Sequence, residues 1–536
     1  MKALGILFSA LALLGMAGAL GAATVEMANL ANLAPADAKA IVETVDAAKL
    51  RQTLLDSDFW AALQETEGAI EWRASDRYAQ MQQRLDQFLG NLKMSKKEAL
   101  TTYLSGRTGV ILLDSGEKKP WGVIVTECTA KNAKLLIDAS GGVEEATKHG
   151  DVTIYAVQKE NRVDRLAAAG GVFLATSATG DALERVLDVI ARNAPSLADD
   201  KGYNEAVANL PENWRIRAYA AKTPPHKNPG AVAMYVEGAS RLHFEWRIVG
   251  DQADLAAINA PVPLTAPSVL PAKAVAAVAS SFHPAAIWEV VKAKVAEQGD
   301  AAVEKLRRAE MFIRGWFPGQ TMEQITAGFG PEGALALLEG DGDAAPSILG
   351  MARLADKDGT AAKSFRNGLA AKAMLLSALA DPNSNTPKLN VREEVYGNAQ
   401  LLIIEAPGVL EKIAGDWAKD IALTVAVTDK WLIVGTAPAG VKAAIDTAAG
   451  NAPSLADDKE NVLPPGPATR WGVVQPARGA DIVLSLVEKL AGKATVDQAR
   501  KATNLAEVMK LVKRFVWTRV DEPNVIRGEA DVQAND

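Results

Sequence analysis

From residue 40 onward the chain alternates short apolar runs with stretches whose apolar side chains recur every three or four positions. The run AIVETV at 40–45 predicts a strand, and helical sequence follows over 47–92. In its last part Tyr78, Met81, Leu85, Phe88, Leu89 and Leu92 share one helical face. Ser95-Lys96-Lys97-Glu98 has the spacing of a capping box and predicts a short helix behind it. Residues 106–114 and 121–129 predict two strands around a polar turn at 115–119, and 131–139 predicts a helix. Strands at 151–158 and 171–176 and a helix at 181–192 complete an order β-β-α-β-β-α. Three more strands are expected at 214–220, 231–237 and 242–249.

The pattern then restarts. NAPVPLTAPSV at 259–269 holds three prolines and predicts a stiff, extended linker. Behind it come an apolar run to Val278, helical sequence over 284–317, and a second capping box at Thr321-Met322-Glu323-Gln324. Strands are expected at 333–338, 348–354, 391–395, 400–405, 422–427 and 431–435, with a covering helix at 360–379. Further on, Trp471 opens a strand as Trp214 does, and helices are expected at 480–490 and 496–514. Phe244 and Trp246 alternate on one strand, and so do Phe515 and Trp517, which sets them as matching positions.

The restart is literal at one place. NAPSLADDK stands at 193–201 and again at 451–459, and 173–201 lies over 431–459 without a gap. Each copy predicts a strand, a turn and a helix ended at Asn193 or Asn451, where asparagine tolerates a left-handed cap. Pro195 and Pro453 stop the helix from continuing. The fold class expected is α+β, in two duplicated halves at 24–260 and 261–536, each an antiparallel-rich sheet with helices packed on one face.

Composition places the chain among globular proteins: 49% of its 536 residues are hydrophobic and 23% charged. A net charge of -7 argues against nucleic acid or an anionic membrane as partner. Lys2, the uncharged run 3–25 and the small residues Gly21-Ala22-Ala23 read as a signal peptide, residues 1–23, cleaved near Ala23. Export to the periplasm or outside the cell follows, with no stable membrane insertion after cleavage; the other reading is an uncleaved N-terminal anchor. Cys128 is the single cysteine, so no intramolecular disulfide forms, and within an apolar strand it reads as a small buried hydrophobe.

Candidate chemistry is sparse. His149, His226, His243 and His283 lack a second histidine or a cysteine at ligand spacing. Asp199-Asp200 and Asp457-Asp458 are the best acidic pairs, but one pair supplies too few ligands for calcium and reads as turn-organising. Glu339-Gly340-Asp341-Gly342-Asp343 lacks the closing glutamate of a calcium loop and predicts a hairpin turn. No GxSxG, phosphate-binding loop or dinucleotide fingerprint occurs. The expected site list is therefore empty: no catalytic, cofactor-binding or metal-binding residue, and no cofactor.

Leu33-Ala34-Pro35-Ala36, the run Phe329-Gly330-Pro331-Glu332-Gly333-Ala334-Leu335, and Ser196-Leu197-Ala198-Asp199-Asp200 leading into Leu210-Pro211 resemble an uncharacterised family of exported bacterial proteins. The resemblance implies no activity and carries no site residue. The second copy departs from it after Lys459, where ENVLPPGP replaces GYNEAVANLP. The function expected is a non-catalytic binding or scaffolding module of the envelope, its partner an envelope protein or small ligand. The rivals are an exported hydrolase with its site between the halves, since triads scatter along a chain, and a carrier of an apolar ligand held there.

Overall fold

The structure is a computed structural model. It describes residues 29–535 except 104–105, 117–119, 142, 160–161, 179, 224–227, 238–239, 341–344, 380–388, 408–420, 491–502 and 504. The expected signal segment and His226 lie outside the described residues, as does part of the turn at 339–343. The fold is α+β, and the chain divides into two compact units, one ending at Gly250 and one running from Asp251 to Asn535.

In the first unit β1 (Ala40–Val45) leads into four helices, α1 (Ala47–Leu55), α2 (Asp58–Glu65), α3 (Glu67–Ala74) and α4 (Asp76–Leu92). The stretch is helical as its sequence predicts, divided into four helices. The side chains of Ser57, Thr66 and Ser75 accept the N–H groups of Trp60, Ala69 and Tyr78, so each starts a new helix. Only α4 keeps the expected face, with Leu89 and Leu92 buried and Leu85 and Phe88 packed beside them. The capping box forms as read: Glu98 N–H donates to Ser95 Oγ at 3.2 Å and Ser95 N–H to Glu98 Oε2 at 2.8 Å. It opens α5 (Lys96–Tyr103).

Strands β2 (Arg107–Leu113) and β3 (Trp121–Glu127), helix α6 (Ala130–Ala139), strands β4 (Val143–His149), β5 (Val152–Lys159), β6 (Arg162–Ala169) and β7 (Val172–Thr176), and helix α7 (Ala182–Ile190) follow. Then come α8 (Lys201–Val207), β8 (Ile216–Thr223), β9 (Asn228–Glu237) and β10 (Arg241–Val249). The expected order lacked β4 and β6. Among its described residues β4 pairs only with β5, and it is exposed along most of its length, so VEEATKH needs no apolar face to announce it. The sheet order is β4-β5-β6-β7-β3-β2-β1-β8-β9-β10, antiparallel throughout.

In the second unit α9 (Ala253–Ile258), β11 (Ala274–Ser281), α10 (Pro284–Ala296), α11 (Asp300–Arg314), α12 (Met322–Ala327), β12 (Phe329–Leu338), β13 (Ser347–Leu354) and α13 (Thr360–Ala378) come first. They are followed by β14 (Asn390–Tyr396), β15 (Ala399–Glu405), β16 (Leu423–Val427), β17 (Trp431–Gly435) and α14 (Pro438–Ala448). The last elements are β18 (Arg470–Val474), α15 (Pro476–Leu490), β19 (Val512–Glu522) and β20 (Val525–Ala534). The sheet order is β14-β15-β16-β17-β13-β12-β11-β18-β19-β20, again antiparallel. It matches the first unit strand for strand.

That pairing corrects four expectations. Phe244 and Trp246 lie on β10 and Phe515 and Trp517 on β19, the counterpart of β9, so these aromatics are not matching positions. Aromatic alternation marks a strand without saying which. The helix expected over 496–514 gives way to β19 at Val512. The proline stretch is no free linker: Val262 and Ala468 exchange N–H bonds at 3.1 and 2.9 Å, and Ala266 N–H donates to Glu332 at 2.6 Å. In the second unit helices cover both faces of the sheet, not one. Leu402 and Ile404 of β15 join the core under α13, while Leu401 and Ile403 join Val441, Ala444 and Ile445 of α14. Period-2 alternation puts those pairs on opposite faces.

Candidate functional site

The duplicated nonapeptide is the natural place to look for a site. Before it, each helix ends in a Schellman turn. Asn193 N–H donates to Asp188 O at 2.8 Å and Arg192 N–H to Val189 O at 3.0 Å; Asn451 and Gly450 do the same to Asp446 and Thr447 at 2.8 and 3.0 Å. The left-handed residues are Arg192 (φ 61°) and Gly450 (φ 77°), so the asparagines lie one position beyond the cap assigned to them. Next, Ser196 and Ser454 open a single 3₁₀ turn. Asp199 Oδ2 accepts Ser196 N–H at 3.2 Å and Ser196 Oγ–H at 2.8 Å; Asp457 Oδ2 accepts the Ser454 groups at 2.7 and 2.9 Å.

The turn then bonds to the start of its own unit. Leu197 N–H donates to Ala34 O at 2.7 Å and Ala36 N–H to Pro195 O at 3.1 Å. Leu455 N–H donates to Leu270 O at 2.9 Å and Ala272 N–H to Pro453 O at 3.1 Å. Leu197 and Leu455 are both buried. The nonapeptide is thus a clasp that seals the opening Leu33–Ala36 of the first unit and Val269–Ala272 of the second, and its first carboxylates, Asp199 and Asp457, are occupied by backbone and hydroxyl donors.

The second acids differ. Asp200 Oδ1 accepts Tyr203 N–H at 2.7 Å and starts α8. Asp458 meets Arg514, a buried guanidinium, at 2.6 Å. Burial alone would push the Asp458 carboxyl up; the Arg514 hydrogen bond, the Glu460 N–H and the nearby charges outweigh it and hold it below the usual range. Asp457 is also held low, by the Ser454 N–H and then its hydroxyl. Folded values below the unfolded ones mean stability that is complete above the ordinary carboxylate value of about 3.9 and is lost as pH falls through the folded values. Thermal melts stepped down through this window should show Asp457→Asn flattening the acid limb of the wild-type curve. An unchanged limb excludes the clasp as a source of acid sensitivity. At neutral pH Asp458→Ala should melt below Asp200→Ala, because only the former takes from a buried arginine its nearer carboxylate, leaving it Glu460 at 3.4 Å; equal melts would refute that asymmetry.

In each unit the helix before the clasp is pinned to the sheet from two matching helix positions. In the first unit His149 Nε2 lies 2.7 Å from Asp188 Oδ1, and Arg165 pairs with Glu184. In the second, Tyr396 Oη–H donates to Asp446 at 2.8 Å, and Lys442 meets Glu394 at 2.5 Å. The helix partner is acidic at 184 and basic at 442, and the sheet partners come from strands that are not counterparts, β6 for Arg165 and β14 for Glu394. His243 lies 3.6 Å from Glu245 and packs against Tyr235, and His283 Nε2 is 3.1 Å from Ala260 O. Among the described residues no group of three or more His, Cys, Asp or Glu could hold a metal ion.

Cys128 is buried, and burial pushes its thiol up to about 11, against a hydrogen bond from the backbone of Phe173. A thiolate is absent at neutral pH, so a disulfide reagent should label Cys128 only after denaturant is added. Rapid labelling of the native chain would contradict this burial.

Two polar centres were not anticipated. Glu43, in the middle of β1, is 0% exposed; its Oε1 accepts Arg217 Nε–H at 2.9 Å and its Oε2 accepts Arg107 Nη1–H and Leu30 N–H at 3.1 Å each. The indole of Trp214 covers both guanidiniums, at 4.6 and 5.4 Å. Glu332 of β12, also 0% exposed, accepts Ala266 N–H and Thr265 Oγ1–H at 2.6 and 2.7 Å. Both carboxylates are fully enclosed and hydrogen-bonded at each oxygen, so they hold together the segments around them. The signal for Glu43 was there to be read: one acid inside AIVETV. A shallow, open depression of about 370 Å³ lies between Pro318, Gln320, Asp358, Thr360, Lys363, Ser364 and Asn367, with one carboxylate and no histidine.

No known protein family, curated protein or solved structure matches the chain.

What stands out chemically is a surface. Phe312 of α11 is 71% exposed and Leu379, at the end of α13, 72%. Met311, Met374, Leu375 and Leu376, on the same two helices, are also exposed. Phe312 meets Trp316 edge to face at 6.4 Å, and Lys372 Nζ sits 3.6 Å from the Trp316 ring centre. Lys372, Leu375, Leu376 and Leu379 fall at i, i+3, i+4 and i+7, one stripe of α13. Soluble proteins seldom expose large apolar side chains in such a group without a use for them.

Proposed function

We propose that the protein is an exported, non-catalytic binding or scaffolding module built from a duplicated α+β unit. The observation that carries the binding reading is the exposed apolar group on α11 and α13. Export rests on the N-terminal run behind Lys2. Duplication rests on the repeated nonapeptide, the shared strand order and the two clasps. The resemblance to exported bacterial proteins is compatible with this reading, which does not depend on it. The occupied carboxylates and the inert thiol favour binding over turnover.

The test is capture from envelope extract by the exported, processed chain, with mass spectrometry for proteins and small molecules, beside Phe312→Asp. Partners retained by wild type and lost by the variant are expected. Turnover of ester, glycoside or peptide substrates by the purified chain would overturn the non-catalytic reading in favour of a hydrolase.

A further inference from the structure

The apolar group lies in a region whose charge opposes that of the whole chain. Helices α10, α11 and α13 carry nine basic side chains against four acidic ones, and eight against four once Arg366, buried against Glu393 of β14, is set aside, in a protein of net charge -7. The exposed side of α11 is not a misplaced core face. Leu306 and Ile313 already turn inward to the cluster around Trp288, while Met311 and Phe312 point away. Arg307 and Arg308 share one carboxylate, Glu304, leaving a net cation beside Met311. Lys372 stands within the apolar stripe itself.

Apolar side chains at the crest with cations along the flanks are the pattern of a helix face that lies in a lipid interface. We propose that this face of the second unit adsorbs to an anionic lipid surface, with Phe312, Leu375, Leu376 and Leu379 entering the headgroup boundary and the basic side chains meeting lipid phosphates. The contact is peripheral, because no helix among the described residues is long and apolar enough to cross a membrane. Overall acidity argues against an anionic partner only over distances beyond the Debye length, about 8 Å at physiological salt. Within that distance the local excess of base decides. A second copy fits less well: a two-fold contact would set the same cations against each other.

This inference deepens the binding-module reading and rests on it. The experiment is co-sedimentation of the full exported chain with vesicles of phosphatidylcholine, and with vesicles carrying about a third phosphatidylglycerol. Wild type is expected to partition at least about tenfold more strongly to the anionic vesicles, and to lose that preference in about 0.5 M salt. Phe312→Asp combined with Leu379→Asp should reduce partition by about tenfold or more, as should Arg308→Glu. Trp72→Asp, an exposed aromatic of the first unit, should leave it unchanged; wild-type melting temperatures exclude misfolding as the cause. Equal partition to neutral and anionic vesicles, or none to either, overturns the proposal. So does a concentration-dependent dimer abolished by the same substitutions, which would assign the face to a second copy. If vesicles are ignored but Phe312→Asp still loses a captured protein, the lipid falls and the module stands. If that variant changes neither assay, both fall.

Discussion

Glu43→Ala should cost about 3–5 kcal/mol, among the largest losses of any single substitution in the first unit, because it leaves two enclosed guanidiniums without their carboxylate. Arg107 and Arg217 are 17% and 14% exposed and cannot turn to water without leaving Trp214. Leu30 N–H loses its acceptor too, which loosens the turn before β1. The informative comparison is with all three charges removed. Glu43→Leu with Arg107→Met and Arg217→Met should recover much of the loss, since a buried ionic group is often no better than apolar side chains of similar volume. Urea unfolding of the two variants measures this. A triple variant as unstable as Glu43→Ala would mean that the charges themselves, and not their pairing, hold the unit together.

Trp471→Ala should be comparably damaging to the second unit. Trp471 is the largest fully buried side chain, at 0% exposure, on a strand paired on both sides, with Ala279 of β11 and Thr518 of β19. Its loss removes the apolar area and leaves a cavity, for about 3–5 kcal/mol. The indole N–H also donates to Val462 O at 3.0 Å. Trp471→Phe should therefore cost about 0.5–1.5 kcal/mol although it keeps most of the ring, because the hydrogen bond to the half-exposed Val462 is lost. Equal midpoints for Trp471→Phe and wild type in denaturant would show that this hydrogen bond contributes nothing net.

Local signals carried the reading of the chain far, and long-range ones did not. β1 and β17 fall at their expected boundaries because apolar runs flanked by turn residues are local facts. Thr321 and Gln324 close their box as spaced, with Thr321 N–H on Gln324 Oε1 at 2.9 Å. In contrast, β4 was missed because an exposed edge strand buries too little to leave a pattern. The breaks inside the helical 47–92 stretch are not legible in the sequence, because serine and threonine caps look like ordinary surface residues until their side chains turn back on the backbone. Glu43 and its arginines come from β1, β2 and β8, and nothing in a single strand announces which others will flank it. The surface on α11 and α13 was illegible for a similar reason. Phe312 and Leu379 have the letters of core residues, and only the tertiary fold leaves them outside.

The clasp has a consequence for the order in which the molecule can be completed. Each unit bonds its first turn to a segment made very much later: Ala34 to Leu197, and Leu270 to Leu455. A chain emerging from its N-terminus carries an unsealed opening until the nonapeptide has arrived. Strands β1 and β8, and likewise β11 and β18, must also wait for one another. Such non-local closure is slow, and until it happens the sheet edges beside β1 and β11 remain open to other chains. Under the proposed export, this delay would keep each unit open until its far end has passed through the membrane.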